Sequence, residues 1–169
     1  MKFFLGLMVG AGVTMAIFIL LLVFNKSLTL AQNNKPPKSM TMTTEKNIIL
    51  TDKAPAPIGP YSQAVQVGNM LFVSGQIAIN PANNQLVLDD IKTETTMVMK
   101  NLENILKKAG MSFENVVKST IFLKNMDDFA TVNEVYGSHF PNNPPARETV
   151  QVAKLPKDVN VEISVIAIK

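Results

Sequence analysis

The stretch from Val159 to Ile168 constrains the fold of this chain more than any other. Successive side chains of a strand point to opposite faces. Val161, Ile163, Val165 and Ala167 fall on one parity, while Ile166 and Ile168 join Glu162 and Ser164 on the other. Apolar residues on both parities predict a sheet covered by helices on one face and by a further subunit on the other.

The remaining elements fit that sheet. Asn47 to Thr51 reads as a short first strand, and Ala54-Pro55-Ala56-Pro57 with Gly59-Pro60 forces an extended, turning path. Ser62 to Val67 and Met70 to Ile77 are β-rich runs around Gly68-Asn69, a hairpin signal. Asn80 to Gln85 reads as a polar loop. Asp89-Asp90 suits a helix start, and Ile91, Val98, Leu102, Ile105, Leu106 and Ala109 follow at helical spacing before Gly110. Val116 to Leu123 is a strand. Asp127-Asp128 opens a second helix, marked on one side by Phe129, Val132, Val135 or Tyr136, and Phe140, and ended by Pro141. Arg147 to Val152 and Val159 to Ile168 are the last strands. The order β-β-β-α-β-α-β-β predicts an α+β domain, a mixed sheet with two helices on one face.

Ahead of this domain, Phe3 to Phe24 carries no charge and is nearly all apolar. As a helix it would reach about 33 Å at about 1.5 Å per residue, enough to cross a bilayer. Residues 1–31 are therefore expected to be a hydrophobic signal peptide or membrane anchor. Ala31 offers a cleavage site before Gln32, whereas the length of the run favours an uncleaved helix. Residues 32–46 read as a flexible polar tether and 47–169 as the folded domain, making the protein membrane-anchored or exported, on a side the lysines leave open.

Charge and composition narrow the function. The net charge of +3 comes from four lysines before Glu45; from there on twelve basic residues face thirteen acidic ones. That balance gives no nucleic-acid surface. The absence of Cys excludes thiolate catalysis and cysteine-bound zinc, and no metal ligand set stands out. The single histidine, His139, sits beside Phe140 at a helix end and reads as structural.

Two charged residues interrupt otherwise apolar strands. Arg147 begins one, directly after Pro144-Pro145-Ala146, and Glu162 lies within the last. If those strands pair around the turn between them, the two groups open onto one region. An Arg fork can hold a carboxylate bidentately, and a semi-buried Glu can move a proton to or from water. A cross-strand ion pair is the structural alternative.

Ala56-Pro57-Ile58-Gly59-Pro60-Tyr61-Ser62-Gln63 and Ser74-Gly75-Gln76 are followed in order by Phe129-Ala130-Thr131-Val132-Asn133 and Pro145-Ala146-Arg147. Val150 to Asp158 and Val161-Glu162-Ile163 complete a set of motifs that resembles the Rid (YjgF/RidA) family across the whole domain. The resemblance implies a chorismate-mutase-like subunit forming a homotrimer with clefts between subunits. It implies hydrolysis of reactive 2-imino acids, derived from 2-aminoacrylate and related enamines, to 2-keto acids and ammonia without metal or organic cofactor. By position, Arg147 would bind the substrate carboxylate and Glu162 would position or activate water. Tyr61 and Asn133 would line the pocket, and Gly75 and Thr149 would contribute backbone groups. Glu148 departs from the pattern, placing a negative charge beside the anion-binding Arg, and Thr149 stands where some members have Cys. A carboxylate-binding or sensing module and a holdase-like chaperone are the competing functions on this fold.

Overall fold

The structure is a computed structural model that describes residues 45–169. Eight strands and two α-helices follow one another: β1 Lys46–Ile49, β2 Ala64–Val67, β3 Met70–Gln76, β4 Ile79–Asn80, β5 Gln85–Leu86, α1 Ile91–Lys108, β6 Val116–Leu123, α2 Phe129–Ser138, β7 Ala146–Gln151 and β8 Val161–Ile168. The main sheet has the order β1-β2-β3-β8-β6-β7. All its pairings are antiparallel except β6 with β7. This is the expected α+β layout, with one addition. The loop read at Asn80–Gln85 has paired ends, so β4 and β5 form a small hairpin of their own.

Helix α1 forms where its caps require it. The Asp90 carboxylate accepts from the Thr93 backbone N–H at 2.8 Å, and Lys107 and Lys108 occupy the last turn, where cations suit the exposed carbonyls. Gly110 then takes a φ of +68°, a left-handed stop that favours glycine. Val98, Leu102, Ile105 and Leu106 of α1 pack with Val132, Val135, Tyr136 and Phe140 of and beyond α2 against one sheet face. That face presents Val161, Ile163, Val165 and Ala167 of β8, all buried. Fully burying a side chain of this size contributes about 1.5–3 kcal/mol, which makes β8 the spine of the core.

The opposite face has no cover among the described residues. One row of register partners across it reads Ile48, Val65, Phe72, Ile166, Lys118 and Ala146. Ile48 and Phe72 are exposed there, as is Val150 two strands from Glu162.

One reading of the strands needs correction. The two strands carrying Arg147 and Glu162 are not neighbours: β6 lies between them, pairing with β7 on one side and β8 on the other. The connection after β7 is long enough to carry the chain over β6, through a 3₁₀ turn at Pro156–Asp158. The hydrophobic N-terminal helix falls outside the described residues. Among the described residues no helix is long and apolar enough to cross a membrane.

Candidate active site

Glu162 projects from the uncovered sheet face into a cleft of about 460 Å³. Its walls are the Pro-rich segment from Pro55 to Tyr61, the end of β3 with Gly75, Gln76 and Ile77, and Pro156 from the turn before β8. The Pro-rich wall is pinned from inside by Gln63, which is 1% exposed. Its amide NH2 donates to the carbonyls of Thr51, Ala54 and Pro55 at 2.8–3.1 Å, and its Oε1 accepts from the Thr51 N–H. A proline-rich path lacks N–H groups for a ladder, so a buried side-chain amide replaces the missing strand. Tyr61 lies on this wall, and its hydroxyl accepts from the Ile58 N–H at 3.2 Å, closing the turn.

Burial raises the pKa of Glu162 above the usual carboxylate value, and no hydrogen bond or charge among the described residues offsets it. The carboxylate lies against the backbone of Gly75, at a bulge where β3 carries one extra residue relative to β8. A Cβ at position 75 would sit 2.7 Å from Glu162 Cδ and 3.0 Å from Cγ. Glycine is required there by the neighbour rather than by the backbone angles.

Arg147 belongs to a second group of residues. Its Nη1 donates to Asn133 Oδ1 at 2.8 Å, and its guanidinium carbon lies over the rings of Tyr136, at 5.0 Å, and Phe129, at 5.8 Å. Asn133, Tyr136, Phe140, Pro144, Pro145 and Arg147 surround a separate cleft of about 410 Å³. Thr149 follows on the same parity of β7, and its hydroxyl oxygen is buried without a partner.

The register separates the two groups. Phe122 is the partner of both Val150 and Glu162, so those three share a face. Arg147 is three residues from Val150 and therefore projects from the other, helix-covered face. Two strand spacings of about 4.8 Å and three residues of about 3.3 Å put the two Cα atoms roughly 14 Å apart. Within one chain the structure therefore joins Tyr61, Gly75 and Glu162, and separately Asn133 and Arg147, but not the two sets. The cross-strand ion pair is excluded by the same geometry.

Glu148 is on the uncovered face, away from its neighbour Arg147. Lys118 and the Thr120 hydroxyl, on β6, donate to its carboxylate and lower its pKa. The extra charge is thus directed away from the guanidinium of its own chain. His139 packs its ring 4.9 Å from that of Phe113, and burial lowers its pKa. Gln63, Phe129 and Tyr136 were not marked as site residues by sequence. The spacing of Phe129, Asn133 and Tyr136 (i, i+4, i+7) was the available signal, since it sets all three on one helix stripe.

A family profile described as Endoribonuclease L-PSP matches residues 51–169. Over 124 residues the chain is 49% identical to a 2-iminobutanoate/2-iminopropanoate deaminase of Mus musculus, covering 73% of this chain and 92% of the relative. The chain belongs to the Rid (YjgF/RidA) family. A Reactive Intermediate Deaminase A of Arabidopsis thaliana, described as chloroplastic, is 39% identical over 163 residues, 95% of this chain and 85% of that one. Among solved structures, E. coli TdcF with bound serine superposes with a TM-score of 0.70 at 41% identity, covering 73% of this chain and 98% of that one. The Mus musculus and Arabidopsis thaliana relatives bear the names of deaminases, the latter described as chloroplastic, and they correct the membrane-anchored or exported placement expected from residues 1–31.

Proposed function

We propose that residues 47–169 form a Rid deaminase domain that hydrolyses reactive 2-imino acids, such as those derived from 2-aminoacrylate, to 2-keto acids and ammonia. The observation that carries this reading is the half-buried Glu162 carboxylate, unpaired in an apolar cleft with its pKa raised by burial. Such a group binds a proton more tightly than a solvated carboxylate does, which suits it to take one from water. With the substrate nitrogen protonated as an iminium, water oxygen bonds to the imine carbon as Glu162 takes one water proton, giving a neutral carbinolamine. Glu162 passes that proton to nitrogen, then takes the hydroxyl proton as the C–N bond breaks, the carbonyl forms and ammonia leaves, and the proton passes on to ammonia as ammonium. The hydrolysis changes no oxidation state and asks for no cofactor. Arg147 binds the substrate carboxylate, with Asn133, Tyr61 and the backbone at Gly75 and Thr149 completing the pocket.

A 2-imino acid has its carboxylate bonded directly to the imine carbon. Groups acting on both must each come within about 3 Å of neighbouring atoms. Arg147 and Glu162 of one chain lie on opposite sheet faces and do not meet that requirement. The reading therefore pairs Arg147 of one copy with Glu162 of the next, in a homotrimer whose contacts cover the apolar face bearing Ile48, Phe72 and Val150.

Keto-acid release from an enzymatic source of 2-aminoacrylate tests the reaction, and mixing tests the assembly. Arg147→Ala and Glu162→Gln should each be inactive alone. Refolded together at equal amounts, they should regain about a quarter of wild-type activity, since random trimers that mix the two hold one intact site each. A mixture as inactive as its components would reject the shared site. Binding of keto acids without any hastening of imine hydrolysis would replace the enzyme with a carboxylate-binding module.

A further inference from the structure

The Arg147 guanidinium is more ordered than carboxylate binding by a surface arginine requires. A long side chain at the end of an edge strand has many rotamers, and holding it in one costs entropy at the moment of binding. Here three residues on one stripe of α2 hold it beforehand: Phe129 and Tyr136 place their rings under it, and Asn133 accepts from Nη1. The Tyr136 ring is itself anchored. Its hydroxyl donates to Ser119 Oγ at 2.9 Å, and Ser119 is the register partner of Arg147 on β6. Ser119 is fully buried on a strand whose other inward residues, Ile121 and Leu123, are apolar. A polar residue in that row is accounted for by the tyrosine it receives. Phe140 packs its ring 4.7 Å from that of Tyr136.

We infer that Tyr136 and Phe129 are positioning residues for substrate capture: an aromatic platform, tied to β6 through Ser119, that preorganises the Arg147 fork for a carboxylate. The inference rests on Arg147 being the carboxylate-binding group of the proposed reaction. The platform acts on the guanidinium alone and has no contact with Glu162, so it governs affinity and leaves the proton-transfer step unchanged.

Fluorination of the ring separates this role from packing, because each fluorine weakens the attraction of the π face for a cation while nearly preserving shape. Phenylalanine and its mono-, di- and trifluoro derivatives are placed at position 136 of the full chain. KM for the imino acid and Kd for 2-oxobutanoate should climb together along the series, by about 3- to 30-fold at its end. Turnover number should stay within about twofold, as expected for loss of binding that is uniform between ground and transition states. Flat KM and Kd across a folded series, or a fall in kcat without a change in KM, would overturn the inference. A readout without substrate is the Arg147 Nε–H resonance, which ring currents should shift upfield in the wild type and release in Tyr136→Leu. Identical positions in the two proteins would also overturn it. Were the wild type to hydrolyse no imino acid, the proposed reaction would fall, while Kd and this resonance would still decide the platform.

Discussion

Gly75→Ala is the sharpest perturbation of the proposed chemistry, because a single methyl group reaches only one functional atom group. The new Cβ would stand 2.7 Å from Glu162 Cδ and 3.0 Å from Cγ. Carbon atoms prefer about 3.5–4.0 Å and Glu162 Oε1 lies nearer still, so the carboxylate has to withdraw by at least about 1 Å. The obstacle is the end of a flexible side chain, and position 75 does not have a positive φ, so the fold itself loses little. Catalysis loses much more: a misplacement of about 1 Å costs on the order of 10²-fold in rate. The expected result is a fall of that size in keto-acid release from 2-aminoacrylate, with a melting temperature near that of the wild type. Gly68→Ala supplies the control. Gly68 has a φ of +59° and nothing within 4 Å of its Cβ position, so alanine there should cost about 1–2 kcal/mol of stability and no turnover. In a Glu162→Ala background, Gly75→Ala should have no further effect on rate. Wild-type turnover by Gly75→Ala would refute the argument that Gly75 exists to admit the Glu162 carboxylate.

Glu162→Gln should lower turnover by about 10²–10⁴-fold and erase the acid limb of the pH–rate profile, which in the wild type should titrate above the usual glutamate value. Stability should move the other way. A raised folded pKa means the native state binds the proton more tightly than the unfolded chain, so ionisation costs stability as pH rises through that range. The Gln variant should therefore melt higher than wild type at neutral pH, with the gap closing below the unfolded pKa; a gap that widens on acidification would reject the sign. Arg147→Lys should raise Kd for 2-oxobutanoate by about tenfold or more, since an ammonium keeps the charge but loses the planar fork; near-equal affinities by calorimetry would argue against bidentate binding. Gln63→Leu should destabilise the domain by about 2–4 kcal/mol in urea unfolding, because several backbone groups of the Pro-rich wall lose their partner together. An unchanged midpoint would show that water replaces the amide there.

The two sheet faces, the helices with their caps, and the motif order were all legible from residue types and spacing. Parity along β8 separates Val161, Ile163, Val165 and Ala167 from Glu162 and Ser164 wherever the strand sits, because alternation is a local property of extended backbone. Asp90 and Gly110 mark the ends of α1 for equally local reasons. Arg147 and Glu162 stood out because charge is costly in strands that face a core.

Strand neighbours are another matter. Nothing local to β7 or β8 says that β6 comes between them, and with that insertion Arg147 and Glu162 change from facing neighbours to groups on opposite faces. A hydrophobic run near the start of the chain favoured a membrane placement by length and polarity alone, and the relatives it resembles do not support that placement. Gly75 and Tyr136 read locally as a strand glycine and a core aromatic. Their relation to Glu162 and to Arg147 exists only once distant segments are packed together. Periodicity follows from bonds between adjacent residues and is written in the sequence; which strand lies beside which, and which methyl group would strike which carboxylate, follows from long-range packing that only the folded chain decides.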